Sequence, residues 1–211
     1  MIQAGRGTMN ILGAIGFNLR NVARFRGRDS RSRFWPYAIL IVVLTSISAA
    51  KVMMPELTSS IERTHRFAIE NPDKATIESH AGGYTVHLRG FYPELMPRLD
   101  KILPGLAAVL GVGVILLAAS ISRRLHDSGR TAAWMLLPIP MLVIGLVLFA
   151  TLFAVFMAGE FEFNFLFIGL FVVLLLNNFA YLGSLLFLIA MLAKPSQTGD
   201  NLYGPAPATP T

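Results

Sequence analysis

The chain contains no cysteine, which excludes disulfides, thiolate nucleophiles and cysteine-ligated metal sites. Charge is also scarce, since only 14% of its 211 residues are charged, against roughly 25% in soluble domains. A soluble globule needs more charge to cover its surface, so this scarcity, together with 54% hydrophobic residues, indicates a membrane protein. The net charge of +6 is unevenly distributed along the chain and therefore does not indicate a nucleic-acid partner.

Motifs of the common catalytic and cofactor sites are absent as well. The sequence has no glycine-rich phosphate loop, no His-Glu-x-x-His pair and no nucleophile elbow. His65, His80 and His87 are spread out, without the close spacing that zinc ligands show. We therefore predict neither a metal nor a cofactor, name no catalytic residue, and find no positive sign of enzymatic activity.

What the sequence does contain is four long apolar segments, each as long as the roughly 20 residues that a helix needs to cross a ~30 Å hydrocarbon core. Four soluble helices of this length without a polar face would be very unusual. The sequence therefore predicts an all-α membrane protein with four transmembrane helices, an N-terminal interfacial amphipathic helix and one longer external loop. The predicted parts are a basic cytoplasmic lead (1–33), a membrane domain (34–193, with spans at about 34–54, 102–122, 134–158 and 165–193), an external loop (55–101) and a cytoplasmic tail (194–211).

Two segments outside the spans have a recognisable period. Residues 11–25 place four apolar side chains on one helical stripe: Leu12, Ile15, Leu19 and Val22. Such a stripe suits a helix that lies on the inner leaflet with its apolar face down, although a loosely ordered basic lead is the alternative. In the external loop we predict a short helix near 57–70, and alternation after a double glycine predicts a half-buried strand at 84–88.

Basic residues are concentrated on one side of the predicted membrane. Seven arginines precede the first span, opposed only by Asp29, and three more lie in the turn between spans two and three. The opposite side has a slight acidic excess, to which a turn with Glu160 and Glu162 contributes. Because basic residues near span ends favour the cytoplasm, both termini are predicted to be cytoplasmic.

The turn between spans two and three, "RRLHDSGR" at 123–130, is unusually charged. Two arginines lie within about one helical turn of its aspartate, so topology anchoring with local ion pairing is one interpretation. The other is a site for an anion or a lipid headgroup, since the planar guanidinium group suits phosphate. The candidates for that site are Arg123, Arg124, His126, Asp127 and Arg130, joined by Arg28 and Arg31 from the basic lead.

Eight further residues are interpreted as interface or packing positions: Trp35, Trp134, Asn177, Asn178, Asp200, Asn201, Tyr203 and Gly204. The tryptophans suit the membrane interface, and the last four form a turn in which the tyrosine can dock the tail against the bundle. The mid-span asparagines are costly in lipid unless they are bonded, so at least one should face another helix, with a polar conduction path as the alternative. Two pairs of small residues spaced four apart, Ala107 with Gly111 and Ala118 with Ser122, predict a close-packing face on span two. Ser30 is predicted to cap span one.

Three blocks carry a family resemblance: "FRGRDSRSRFW" at 25–35, "RRLHDSGR" with its following tryptophan at 123–134, and "GDNLYGP" at 199–205. In their order, and in their spacing relative to the spans, they resemble the signature of a bacterial inner-membrane family, domain-of-unknown-function family 805. The resemblance covers about residues 15–205. It implies a bacterial plasma (inner) membrane protein and implies no established activity.

Three functional hypotheses remain open. The preferred one is a membrane-embedded interaction or lipid-headgroup-contacting protein, whose partners are the bilayer, anionic lipids on the cytoplasmic face, and a membrane protein or a second copy of the chain. The second is a small transporter or channel component, which is weakened because no acid or base lies inside any span core. The third is a membrane enzyme that uses His126 and Asp127 in the cytoplasmic turn.

Overall fold

The computed structural model describes residues 10–158 and 165–207. The predicted acidic turn with Glu160 and Glu162 lies outside these residues, as do Arg6 and the last four positions of the tail. The elements are α1 (Ile11–Arg20), α2 (Arg31–Glu70), β1 (Ala75–His80), β2 (Gly83–Leu88), α3 (Leu99–Asp127), α4 (Pro138–Met157) and α5 (Phe165–Ala193), with 3₁₀ turns at Pro93–Leu95 and Ala132–Leu136. Helices α2 to α5 are long and apolar enough to cross a membrane, which confirms the predicted four-span helical fold.

Helix α1 is the short helix predicted for the basic lead. Asn10 caps it, because its side-chain oxygen accepts hydrogen bonds from the backbone amides of Leu12 and Gly13. One face, with Ala14 and Asn18, is buried, and α1 packs against α2. The helix ends at Arg20, five residues before the end of the predicted stripe.

Helix α2 continues well beyond the predicted end of the first span. Its 40 residues extend about 60 Å, twice the thickness of the hydrocarbon core. Residues 57–70 are helical, as predicted, but they continue the first span instead of forming a short helix of their own. The distal half is stabilised by an ion pair within α2, between Glu56 and Arg63 at 2.9 Å. The segment before α3 also holds it, because Glu56 accepts the Arg98 amide at 3.3 Å and Ser60 donates to the Leu95 carbonyl.

A two-stranded antiparallel sheet follows α2 and lies against its distal half. Strands β1 and β2 pair from Ala75 opposite Leu88 to His80 opposite Gly83, which confirms the predicted strand near 84–88. The rings of His65 and Tyr84 lie 4.5 Å apart and so join the sheet to the helix. The region predicted as an external loop is thus largely ordered as a helix extension and a hairpin.

The spanning helices form two antiparallel pairs, α2 with α3 and α4 with α5, and fewer contacts join one pair to the other. Glycines determine how closely α2 and α3 approach. A Cβ at Gly113 would lie 2.7 Å from Thr45 Oγ1, and one at Gly105 would lie 2.8 Å from Val52 Cγ1. Of the predicted packing face, the Ala107–Gly111 pair was wrong, because a Cβ at Gly111 would meet open space, whereas Ser122 of the second pair is buried.

At one end of the bundle the two pairs come together. There a small apolar core joins α2, α3 and α5, and its buried members are Phe34, Ala38, Leu125, Leu188, Met191 and Leu192. This is the end at which α2 and α4 begin and at which α3 and α5 finish. We call it the network end, after the charged residues described next.

Candidate functional site

Five charged side chains are buried together at the network end: Arg28, Asp29, Arg123, Arg124 and Asp127. We call them the arginine network. None is more than 6% exposed, although ionised side chains are almost never buried unless they are paired. They come from the segment before α2 and from the last turn of α3, and they also hold the tail after α5. The three sequence blocks that carry the family resemblance therefore meet at one place.

Arg123 joins the end of α3 to the end of α1. Its Nε donates to Asp29 Oδ2 at 2.7 Å, and its Nη2 donates to Asn18 Oδ1 at 2.7 Å. Its Nη1 donates to the carbonyls of Asn21, at 2.9 Å, and of Arg24. The guanidinium thus satisfies a carbonyl just beyond the C-terminus of α1, where positive charge is favoured by the helix dipole.

Arg124 joins the end of α3 to the end of α5. Its Nε donates to the Leu192 carbonyl at 2.8 Å, and its Nη2 donates to the Lys194 carbonyl. Its Nη1 binds Asp127 Oδ2, one turn further along α3. A single buried guanidinium therefore fixes the last turn of α5 against the last turn of α3.

Arg28 holds the chain that follows α5. Its Nε donates to Asp127 Oδ1 at 3.2 Å, and its terminal nitrogens donate to the carbonyls of Gly199 at 2.7 Å and Gln197 at 2.5 Å. The Gly204 carbonyl lies at 3.4 Å from Nη1. The tail is thereby folded back across the network end.

The electrostatic balance of the network explains how so much charge is tolerated inside. Three buried guanidinium groups face two buried carboxylates, which leaves an excess of one positive charge. The ends of α1 and α5 each contribute about half a negative charge. Further backbone carbonyls complete the bonding, which a buried ion requires if its desolvation cost of several kcal/mol is to be offset.

Neither carboxylate has an oxygen without a cationic partner. Asp29 Oδ1 accepts from Arg33 at 3.4 Å and its Oδ2 from Arg123, while Asp127 Oδ1 and Oδ2 accept from Arg28 and Arg124. Asp127 Oδ2 also accepts from the Ser196 hydroxyl. Both oxygens of Asp127 are therefore engaged in binding the chain's own guanidinium groups.

The predicted tail turn packs on His126. The rings of His126 and Tyr203 stack with centroids 3.9 Å apart and planes within 4°. Asn201 donates to the His126 carbonyl at 3.0 Å and accepts the Tyr203 amide at 2.9 Å. Gly204, at φ 126°, closes the turn through backbone hydrogen bonds with Asn201.

Other predicted site residues lie outside the network. Arg31 is exposed and Arg130 is half-buried. Asp200 is also exposed, and it accepts the Ala206 amide at 3.4 Å. Trp134 is 39% exposed and packs edge-on against Phe187 of α5. Ser30 occupies the N-cap position of α2, as predicted, but its hydroxyl bonds to Ser32 and not to a backbone amide of the helix.

The two mid-span asparagines have different surroundings. Asn177 donates to the Met141 carbonyl of α4 at 3.0 Å and so forms an interhelical hydrogen bond. Asn178 donates to the Leu174 carbonyl of its own helix and is exposed on the outer surface of the pair. Both amides therefore have bonded donors within α4 and α5.

Sequence reasoning placed Arg123, Arg124 and Asp127 in one site and missed several of their partners. It expected both arginines near Asp127, whereas Arg123 pairs with Asp29 from a distant segment. The signal that could have found Asp29 was its isolation as the lone acid among the arginines before the first span. Asn18, Ser122, Ser196 and Gln197 carry no comparable signal, because they act only where the fold brings them together.

Across residues 10–158 and 165–207 no group of three or more histidine or acidic side chains is arranged to hold a metal ion. In comparisons with known proteins, neither a curated protein nor a solved structure matched the chain. A family model described as "Protein of unknown function (DUF805)" matched residues 22–205, which include all three blocks that converge on the arginine network. The chain therefore belongs to domain-of-unknown-function family 805.

Proposed function

We propose that this protein is a membrane-embedded, lipid-contacting protein whose network end faces the anionic lipids of a cytoplasmic leaflet. The observation that carries the proposal is that the basic residues at this end form two sets, one buried and paired and the other exposed. Arg28, Arg123 and Arg124 are occupied by the chain's own carboxylates and carbonyls. Around them a second set is exposed at the same end: Arg20, Arg24, Arg26, Arg31 and Lys194.

Within the described part of the chain, none of this exposed set forms an ion pair. Each basic residue near an anionic leaflet contributes about 1 kcal/mol of attraction. Helix α1 supports the same role, because Ile11 and Leu12 are 66% and 74% exposed beside these arginines and are suited to insertion among lipid chains. The proposal places the network end in the cytoplasm of a bacterium and the chain in its plasma membrane, in line with the excess of basic residues there.

The transport hypothesis has less support. A conduction path needs polar groups that line a continuous route, whereas Asn177 is bonded between α4 and α5 and Asn178 is bonded within its own helix. The enzyme hypothesis is weakened by the occupied oxygens of Asp127. A role as a partner for other membrane proteins is compatible with lipid contact, and no particular contact in the structure favours it over lipid.

The test is lipid retention by the whole chain. The protein is extracted from vesicles of equal phosphatidylglycerol and phosphatidylcholine, and bound lipid is counted by native mass spectrometry. A variant with Arg20, Arg24 and Arg26 changed to Gln is compared with a matched control in which Arg66, Lys74 and Arg89, near the β-hairpin, are changed to Gln. We expect phosphatidylglycerol enrichment in the parent and the control and a reduced enrichment in the first variant, which keeps Arg31 and Lys194. Equal retention of both lipids by the parent would refute the proposal.

A further inference from the structure

An apolar cleft opens between the two helix pairs, directly above the core at the network end. It encloses about 680 Å³ and receives side chains from all four spanning helices and from the 3₁₀ turn at Ala132–Leu136. Trp35 and Phe34 lie at its network end, and Ser46 lies at the other end along α2. Its lining is almost wholly apolar, the polar exceptions being Thr45, Ser46 and Tyr181.

The depth of the cleft corresponds to one leaflet. Along α2 the lining runs from Phe34 to Ser46, which is about 18 Å at 1.5 Å per residue. Along α3 it runs from Leu110 to Ile121, and along α5 from Tyr181 to Leu192, about 16 Å in each case. Half of a ~30 Å hydrocarbon core is ~15 Å, so the cleft spans the acyl region of the leaflet on the network side.

The volume distinguishes between possible occupants. A transmembrane helix about 10 Å wide and 30 Å long fills about 2,400 Å³, so the cleft is too small and too short to enclose one. The volume of the cleft, about 680 Å³, lies within the ~300–1,000 Å³ that is typical of sites for small apolar ligands. In a bilayer the apolar molecules of that length and width are lipid acyl chains.

The mouth of the cleft at the network end is basic. Arg31 lies one helical turn before Trp35 on the same face of α2, and it is exposed. It also stands at the N-terminus of α2, where a cation is opposed by the helix dipole and an anion is favoured. Among the residues that the structure describes, no side chain caps that end, so its first amides can also serve an oxyanion.

We propose that the cleft between the helix pairs binds an acyl chain of an anionic phospholipid, with the phosphate held at Arg31 and the N-terminus of α2. This inference rests on the proposed function and specifies it, because it converts general attraction to an anionic leaflet into one site for one lipid. The arginine network contributes by fixing the ends of α3 and α5, where Ile121 and Leu192 line the cleft.

The two tryptophans of the chain provide the experiment, since Trp35 lines the cleft and Trp134 lies outside it. Trp134→Phe and Trp35→Phe variants each leave one fluorophore. Each is reconstituted in phosphatidylcholine vesicles with increasing brominated phosphatidylglycerol, and quenching gives the relative association of the two lipids at each tryptophan. We expect a preference of about fivefold for phosphatidylglycerol at Trp35, the ratio that one favourable charge provides, and little preference at Trp134.

Two pairs of variants test separately the contact with the lipid headgroup and the contact with the lipid acyl chain. Arg31→Gln should remove the preference at Trp35, and Arg31→Lys should keep part of it. Val42 lines the cleft and is 55% exposed, while Val112 is 56% exposed and lies outside the lining. Val42→Phe should therefore reduce quenching at Trp35 by brominated chains of either lipid, and Val112→Phe should leave it unchanged.

The outcomes distinguish this inference from the proposed function. If the whole protein retains phosphatidylglycerol but quenching at Trp35 matches that at Trp134, the lipid-contacting role stands and the cleft site is refuted. If retention shows no enrichment, both are refuted. If quenching at Trp35 is selective but is unchanged by Arg31→Gln and by Val42→Phe, the proposed position of the lipid is wrong.

Discussion

Arg28 donates its Nε to Asp127 Oδ1 at 3.2 Å, across 99 positions of sequence and between two groups that are almost wholly buried. The contact joins the segment before α2 to the last residue of α3. The same guanidinium reaches the backbone of the tail at Gly199 and Gln197. Residues that look like a basic topology signal in the sequence therefore form an internal connection between the three blocks that mark the family.

Loss of the Asp127 charge should destabilise the bundle strongly. In Asp127→Asn the buried guanidinium groups of Arg28 and Arg124 lose their shared anion, and removing one partner of a buried pair costs about 3–5 kcal/mol. The free energy of unfolding, from denaturant titration in mixed micelles, measures the effect. Asp200→Asn is the control, because Asp200 is exposed and accepts one long hydrogen bond. Equal stability of the two variants would contradict the network as described.

Arg123 and Asp29 should behave as one unit. Arg123→Lys keeps the charge but cannot reach Asn18, Asp29 and the carbonyls beyond α1 at once, so stability should fall. Asp29→Asn removes the carboxylate charge that the Arg123 Nε contacts. We expect the double variant to be clearly less destabilised than the sum of the singles, by 0.5–3 kcal/mol on the ordinary scale of such couplings. Simple additivity in a double-mutant cycle would show that the two groups do not interact.

The tail should be released when the stacked pair is broken. Tyr203→Leu removes the ring that stacks on His126, an interaction of about 0.5–1.5 kcal/mol, whereas Tyr203→Phe keeps it. Hydrogen exchange over residues 195–207 is the measurement. Exchange should accelerate in the Leu variant and stay near the parent rate in the Phe variant, and the same acceleration in both would argue against stacking.

Close packing of α2 on α3 should depend on Gly113. Gly113→Ala places a Cβ 2.7 Å from Thr45 Oγ1, so the helices must separate or the side chain must move, at about 1–3 kcal/mol. Gly111→Ala is the matched control, since its Cβ meets open space and alanine favours the helix. Unfolding of both variants in micelles tests this, and Thr45→Ala should restore part of the stability lost in Gly113→Ala.

The proposed orientation of the bundle rests on where its basic residues lie. Reporter fusions after Arg130 and at the C-terminus should behave as cytoplasmic, and a fusion at Gly82, in the turn of the β-hairpin, should behave as external. If the Gly82 fusion behaves as cytoplasmic, the molecule has the opposite orientation and the proposed lipid cleft lies in the other leaflet.

The helical elements were the more predictable part of the structure. The spans were read from apolar length alone, and the strand near 84–88 from alternation, since both signals are local. The join between residues 54 and 57 was missed because polar residues there suggested a loop. Glu56 and Ser60 are instead paired with the segment before α3. Such pairing allows a helix to continue through polar sequence, and no local signal reports it.

The sequence by itself determined that the chain crosses a membrane four times as helices, because in hydrocarbon every backbone group must be bonded internally and only sufficiently long apolar segments can do this cheaply. It also determined which charged residues would be close together along α3. Only the tertiary structure decided which aspartate each arginine meets. Arg124 pairs one turn away with Asp127, as helical spacing allows, whereas Arg123 pairs with Asp29 at a separation of 94 residues. This pairing requires the ends of α1, α3 and α5 to meet. A buried network of charges is stable only in an arrangement that gives every charged group its hydrogen-bond partners at once.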